Sequence, residues 1–253
     1  MTYPGNPAAR IIIAAPGPWA TLQQVAAALA SGRSGLTLSG ERLMDKRTAI
    51  AGLELRAGDP DLVEAFRQAN ADACLDEADL AQLAGQRRTL YATHPQPSFE
   101  AAYQVLRAGT ALLDAGGLAV KVERANLAHS ARHWRALAAR HDPADLYRAL
   151  VRLVTDDEAG HSCGMHNFGL PDVMVRSGEK VRSGGPDEAV ARLLDSFNAY
   201  LLLEAPDLAD GHTFSPDEWS PWYRLAWRVD PYHPADDRCH NPYGFWELVL
   251  QPN

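Results

Sequence analysis

Residues 88–123 constrain the fold more than any other stretch. Arg88–Thr93 has the β-branched and aromatic content of a strand. Ser98 follows as a helix cap, and Ala102, Val105, Leu106, Leu112 and Leu113 recur on one face as far as Asp114. Gly116 and Gly117 stop that helix, and Leu118–Glu123 reads as the next strand. A strand, a one-sided helix and a second strand in such close succession demand a sheet with a helix packed on it. If the two strands run parallel in one sheet, the crossover between them is right-handed.

The rest of the chain alternates in the same way. Residues 10–15 read as a buried strand, closed by Pro16-Gly17-Pro18, and Thr21 caps a helix to about Ser31. Residues 36–38 and 50–56 read as strands. In the second, Leu53 and Leu55 alternate with Gly52, Glu54 and Arg56, which leaves one face wet. Helices open at Asp59-Pro60 and at Asp76, at Ser130 (to Arg140), at Pro143 (to about Asp156) and at Gly184-Gly185-Pro186 (to about Glu204). Residues 161–168, 172–176, 212–214, 223–229 and 244–250 complete the strands. The last two form a hairpin across loop 230–243, which is long for a compact domain and therefore a candidate for function.

This interleaving predicts an α+β fold of two tightly packed lobes, 1–125 and 141–253, bridged by a helix at 126–140. Each lobe is expected to be a mixed or antiparallel sheet with helices on one side. The shared rhythm of the halves raises a distant duplication, which residue identity does not establish.

Composition narrows the function classes. The 253 residues carry 24 basic and 32 acidic side chains, a net charge of −8, with 46% hydrophobic residues, the profile of a folded soluble protein. The basic residues are scattered, which argues against nucleic acid and anionic lipid as partners. No apolar run approaches the ~20 residues of a membrane span. The first residues lack the basic and apolar segments of a signal peptide, so a cytoplasmic location is expected. Cys74, Cys163 and Cys239 form no CxxC pair and fit that compartment.

Phosphate-loop, dinucleotide and nucleophile-elbow signatures are all missing. Pro16-Gly17-Pro18-Trp19 stands where a phosphate loop would, but its prolines remove the amide donors such a loop needs.

Three polar clusters remain. In His161-Ser162-Cys163-Gly164-Met165-His166, an extended strand points His161, Cys163 and Met165 one way and His166 the other. Cys and His are zinc ligands, and Cys163 between two histidines is also a candidate activated thiol. The plainer alternative is a buried strand end. In Asp210-Gly211-His212-Thr213-Phe214-Ser215, His212 is a candidate base or ligand, against a turn entering a strand. In Cys239-His240-Asn241-Pro242-Tyr243-Gly244, Cys239 and His240 are placed to complete a site begun by His161 and Cys163, against a simple turn. The catalytic candidates are thus His161, Cys163, His166 and His212. The metal candidates are His161, Cys163, His212 and His240, with zinc as the ion.

Lys121 and Glu123 share a strand face and are expected to form a solvated ion pair. His129 and His133 are four apart, but Ser130 as a cap leaves His129 outside the helix. Aromatic residues gather late in the chain. Trp219, Trp222, Trp227, Tyr243 and Trp246 form the candidate partner-binding set, since such residues dominate interfaces, with a core role as the alternative.

Residues 11–19 (Ile-Ile-Ile-Ala-Ala-Pro-Gly-Pro-Trp), 115–123, 163–173 (Cys-Gly-Met-His-Asn-Phe-Gly-Leu-Pro-Asp-Val) and 241–246 (Asn-Pro-Tyr-Gly-Phe-Trp) resemble an uncharacterised bacterial family of domain-of-unknown-function proteins. The resemblance spans most of the chain. It implies a bacterial cytoplasmic protein and transfers no catalytic role to any residue.

Two functions follow as the main expectations, ahead of a third, a small-molecule sensor using a cleft between the lobes. The first is an acidic binding protein, of the toxin-neutralising immunity or regulatory kind, that holds a basic protein partner and needs no cofactor. The second is a metal- or thiol-dependent enzyme with its site in the His/Cys-rich C-terminal lobe.

Overall fold

The computed structural model of the chain describes residues 9–155, 159–176 and 186–251. The Gly184-Gly185 pair expected to open the last helix lies outside the described residues. The architecture is α+β, with two sheets that divide between two compact units: one is Arg10–Leu150, and the other holds Ala9 and the described residues from Val151 onward. Among the described residues no helix is long and apolar enough to cross a membrane.

The N-terminal unit runs β1 (Ile11–Pro16), α1 (Leu22–Ser31), β2 (Leu36–Ser39), β3 (Arg42–Asp45), β4 (Thr48–Ala57), α2 (Leu62–Gln68), α3 (Glu77–Ala84), β5 (Arg88–His94), α4 (Phe99–Asp114), β6 (Ala119–Val122), β7 (Leu127–Ser130), α5 (Ala131–Ala139) and α6 (Pro143–Leu150). Its sheet has the order β2-β3-β4-β5-β1-β6-β7, and every neighbouring pair is antiparallel. β5 and β6 both flank β1, so they run parallel to each other with one strand between them. The strand–helix–strand unit legible in the sequence is therefore split by β1.

α4 covers one face of this sheet, packing on β1, β4, β5 and β6. Ile11, Ile13 and Ala15 of β1 meet Leu90 and Ala92 of β5 and Leu53 of β4, all buried, as alternation requires. On the opposite face Arg56 pairs with Glu54 at 2.7 Å and lies over the Tyr91 ring, 4.6 Å from its centroid. That face is wet around β4, as its alternation predicts. At β6 and β7 it is not, because Phe66, Leu80 and Leu83 from α2 and α3 pack on Ala119 and Ala128. Helices are thus not confined to one side of this sheet. The same cover buries Lys121, whose Nζ lies 3.0 Å from both Glu123 carboxylate oxygens with the side chain only 2% exposed. The ion pair is buried rather than solvated, and Glu123 supplies the countercharge without which an ammonium in that position would be prohibitively costly.

Residues 126–140 do not form a bridge. They supply β7 and α5 to the N-terminal unit, whose limit is Leu150. α6 also stops at Leu150 rather than near 156, since Arg152–Thr155 pairs with the next strand.

The second unit contains β8 (Arg152–Thr155), β9 (Ala159–Cys163), a 3₁₀ turn (Met165–Phe168), β10 (Asp172–Arg176), α7 (Pro186–Glu204), β11 (Thr213–Phe214), β12 (Tyr223–Arg228) and β13 (Phe245–Leu250). The order is β11-β12-β13-β10-β9-β8, with β10 and β13 parallel and the other pairs antiparallel. That central parallel pair carries Val173, Met174, Phe245, Trp246 and Leu248, all buried. α7 packs on β8, β9 and β10 through Val190 and Leu194. Its approach depends on Gly160, where a Cβ would collide with Val190 Cγ1. The two strand orders differ, and among the described residues only this sheet has a parallel pair, so the topology does not support a duplication.

Gly109 plays a similar role in α4. A Cβ there would stand 2.6 Å from the ring of Trp134, which is fully buried and donates its Nε1–H to the Leu106 carbonyl at 3.2 Å. Alanine gains about 1 kcal/mol of helix propensity over glycine, but overpacking a filled core costs about 1–3 kcal/mol. Gly109→Ala should therefore lower stability in urea denaturation. Unchanged or raised stability would show that Trp134 shifts without loss.

Candidate metal centre

The site begins where β9 ends. His161 lies opposite Met174 of β10 and Val154 of β8, and Cys163 opposite Arg152 of β8. His161 and Cys163 therefore share the face of β9 opposite Gly160 and Ser162. α7 occupies the Gly160 face, and the loop joining β12 to β13 lies over the other. There the Tyr232 ring stacks on His161 at 3.8 Å with 13° between planes. Phe245 packs 6.3 Å from His161.

The strand expected over 161–168 stops at Cys163. Gly164 has φ of 134°, a conformation other residues avoid, and it turns the chain into the 3₁₀ segment. Asp172 holds that turn. Its Oδ1 accepts the Met165 N–H at 3.1 Å and the Ser162 hydroxyl at 2.8 Å. The turn takes Met165 and His166 off the strand. His166 is buried, with its Nδ1 3.8 Å from Asp172 Oδ2.

A second buried carboxylate shapes the loop. Asp230 Oδ1 accepts the N–H groups of Tyr232 at 2.9 Å and His233 at 3.0 Å, while Oδ2 accepts the Asn241 N–H at 2.8 Å. Asp237 Oδ1 accepts the Cys239 N–H at 2.6 Å, a local turn typical of aspartate. Asn241 joins both carboxylates. Its Nδ2 donates to Asp172 Oδ2 at 2.6 Å and to the Leu170 carbonyl at 3.1 Å. The result is a convergence of three side chains. The sulfurs of Cys163 and Cys239 and a ring nitrogen of His233 all lie within 4.8 Å of one another.

Of the expected site residues, the structure thus brings Cys163 and Cys239 together. His161 stands beside them, its ring centroid 6.4 Å from that of His233, outside the converging set. His240 supports the loop instead of joining the set, with Nδ1 2.9 Å from the His233 carbonyl. His212 is exposed in the turn before β11, where its backbone carbonyl accepts the Leu225 N–H at 2.7 Å. His166 is drawn off by the 3₁₀ turn. Sequence reasoning missed His233, whose signal was its place in the long loop six residues before Cys239. Of the aromatic set, Tyr243 and Trp246 are buried core residues. Trp219, Trp222 and Trp227 are exposed, Trp219 to 88%.

The hydrogen bond with Cys239, together with burial, pushes the Cys163 thiol well above the usual thiol range. An activated nucleophile needs the opposite shift, so Cys163 is not poised as a thiolate by its neighbours. Burial holds His161 down at about 4, with Asp172 opposing, and the ring is neutral at pH 7.

No family model matches the chain, and comparisons with curated proteins and with solved structures also find no match. The chemistry of the site is therefore read from its own atoms.

Removing the Asn241 side chain strips a donor from each of two acceptors, one of them a buried carboxylate. Hydrogen bonds to charged groups are worth about 1.5–3 kcal/mol each. Asn241→Ala should cost about 2–4 kcal/mol in urea denaturation, and Asn241→Asp more, since it sets a carboxylate against Asp172. A loss below about 1 kcal/mol would mean that water replaces the amide.

Proposed function

We propose that this is a metal-binding protein whose C-terminal unit holds one divalent ion of the zinc class through Cys163, His233 and Cys239. The convergence of these three donors carries the reading. Two sulfurs and an imidazole favour zinc over magnesium or calcium, which take oxygen ligands. Zinc bonds of about 2.3 Å to sulfur and 2.0–2.1 Å to nitrogen place tetrahedral donors roughly 3.3–3.8 Å apart, so donors within 4.8 Å of one another reach one ion by closing at most about 1–1.5 Å, within the range of side-chain rotation. His233 Nδ1 is buried without a hydrogen-bond partner, 3.4 Å from Asp230 Oδ2, an orphaned polar atom of the kind that an ion would satisfy.

An ion held here ties loop 230–243 to the end of β9. Three protein ligands leave a fourth position for water, the arrangement of zinc sites that activate a water molecule. This supports the metal-dependent reading of the chain over the thiol-dependent one.

Protein purified without a His tag or chelator should carry zinc at this site. Cys163→Ala and His233→Ala should each lose one equivalent by elemental analysis. Because the contact with Cys239 and burial push the Cys163 thiol well above its usual range, zinc titration should release at least one proton as that sulfur binds, read as buffer-dependent heats. A wild-type chain that takes up no zinc, or that isolates with a Cys163–Cys239 disulfide under reducing conditions, overturns the proposal.

A specific observation also favours a second reading, that of a protein with a basic partner. Trp222, Tyr200, Leu203, Phe214 and Glu204 line an open groove of about 470 Å³, and Leu203 and Trp222 are 59% and 58% exposed. With a net charge of −8, the chain suits a basic protein segment. A basic protein captured by wild type should be lost from Trp222→Ser and Leu203→Ser. Equal recovery on all three, or none on any, removes this reading.

A further inference from the structure

The start of α5 holds a pair of histidines that the sequence pattern sets apart. Ser130 is the helix cap, and its Oγ accepts the His133 N–H at 3.2 Å. His129 precedes the cap, and Trp134 is the fourth helical residue. Their rings pack 5.5 Å apart, which is the staple that folds the residue before a cap back onto the first turn. This staple carries His129 onto His133. Their ring centroids are 5.1 Å apart and their Nδ1 atoms 3.5 Å apart. Lying outside the helix therefore does not keep His129 from His133.

The tautomer of His129 follows from its other nitrogen. The residue is fully buried, and Nε2 lies 3.0 Å from the Ala149 carbonyl oxygen, which only accepts. Nε2 carries the proton, and Nδ1 turns a lone pair toward His133. Fixing one ring nitrogen on a backbone carbonyl so that the other is free to ligate is how proteins prepare histidine for a metal.

A third donor arrives from the α2–α3 connection. The Ala128 N–H donates to the Ala69 carbonyl at 2.8 Å, so the chain leaving α2 runs along the outer edge of β7. The Asn70 side chain then closes residues 70–75 into a turn, accepting the Leu75 N–H at 3.0 Å and donating to its carbonyl at 2.8 Å. Cys74 projects from this turn, with Sγ 3.4 Å from the Ala128 carbonyl oxygen. The donor atoms of Cys74, His129 and His133 all lie within 4.8 Å of one another.

We propose that Cys74, His129 and His133 form a second metal site, in the N-terminal unit, for a divalent ion of the zinc class. The 3.5 Å between the two Nδ1 atoms is close to the roughly 3.3–3.4 Å between nitrogens bound to zinc at 2.0–2.1 Å and a tetrahedral angle. One sulfur and two imidazoles contain no hard oxygen donor, which disfavours magnesium and calcium. The ion would cross-link three segments: the turn after α2, the end of β7 and the first turn of α5. The site stands on its own geometry, independently of the C-terminal centre.

The competing arrangement is a hydrogen bond from His133 Nδ1–H to His129 Nδ1 with no ion. Zinc per chain separates the two. Wild type should hold two equivalents, and Cys74→Ala, His133→Ala and Cys163→Ala one each. Cys74 and His133 are only half-buried, so both variants should keep the wild-type circular dichroism. As a second reading, Cys163→Ala loaded with cobalt should show a thiolate-to-cobalt charge-transfer band that the Cys74→Ser, Cys163→Ala double variant lacks. If Cys74→Ala and His133→Ala bind as much zinc as wild type, the N-terminal site is overturned. If only Cys163→Ala keeps its full zinc content, the C-terminal centre fails and this one stands.

Discussion

Asn241 joins two buried carboxylates that would otherwise face each other's neighbourhood without a donor between them. Its backbone N–H satisfies Asp230 and its side-chain amide satisfies Asp172. Asp172 also fixes Ser162 of β9 and the N–H that opens the 3₁₀ turn, while Asp230 fixes the start of the long loop. One amide therefore locks the end of a strand, a reversal of the chain and a loop from a distant part of the sequence. Buried carboxylates are costly unless every acceptor position is met, so the segments around them have few alternatives. This polar frame fixes the segments that carry Cys163, His233 and Cys239, and those three side chains converge.

The frame also explains why the sulfurs sit as they do. Cys163 is the last residue of β9, and Cys239 is delivered by an aspartate turn at Asp237. Neither position is determined by apolar packing alone. Polar networks of this kind specify one arrangement more sharply than hydrophobic contacts do, and they fail more completely when one member is removed.

Much of the fold was legible in the sequence because periodicity reports burial directly. The α4 stripe, the wet face of β4 and the caps Thr21, Asp76, Ser98 and Ser130 all read as they fold. β2 and β6 are as short as β3, β7 and β8, yet only the last three escaped: Arg42–Asp45 shows no clean alternation, β7 runs straight into the Ser130 cap of α5, and β8 follows α6 after a single residue, so these three merge with turns or helix ends. The site was half legible. Cys163 and Cys239 stood out as residue types, but their meeting depends on Asp230, Asp172 and Asn241, whose buried roles leave no periodic trace. His233 looked like any loop histidine, and His240 beside Cys239 looked like the better ligand. The helix cap at Ser130 was read correctly and still misled, since a cap that ends a helix also folds back the residue before it.

β1 is the first strand among the described residues and lies in the middle of its sheet, between β5 and β6. Ile11–Pro16 must therefore wait for Arg88–His94 and then for Ala119–Val122 before either of its edges is paired. During synthesis a wholly apolar strand leaves the ribosome long before its partners exist. Non-local pairings of this kind slow folding and leave sticky edges exposed in the interval. The local β2–β3–β4 meander can form meanwhile, but the centre of the sheet can close only after most of the N-terminal unit has been made. The order of the strands in space is thus also a statement about time: this unit is assembled from its rim inward.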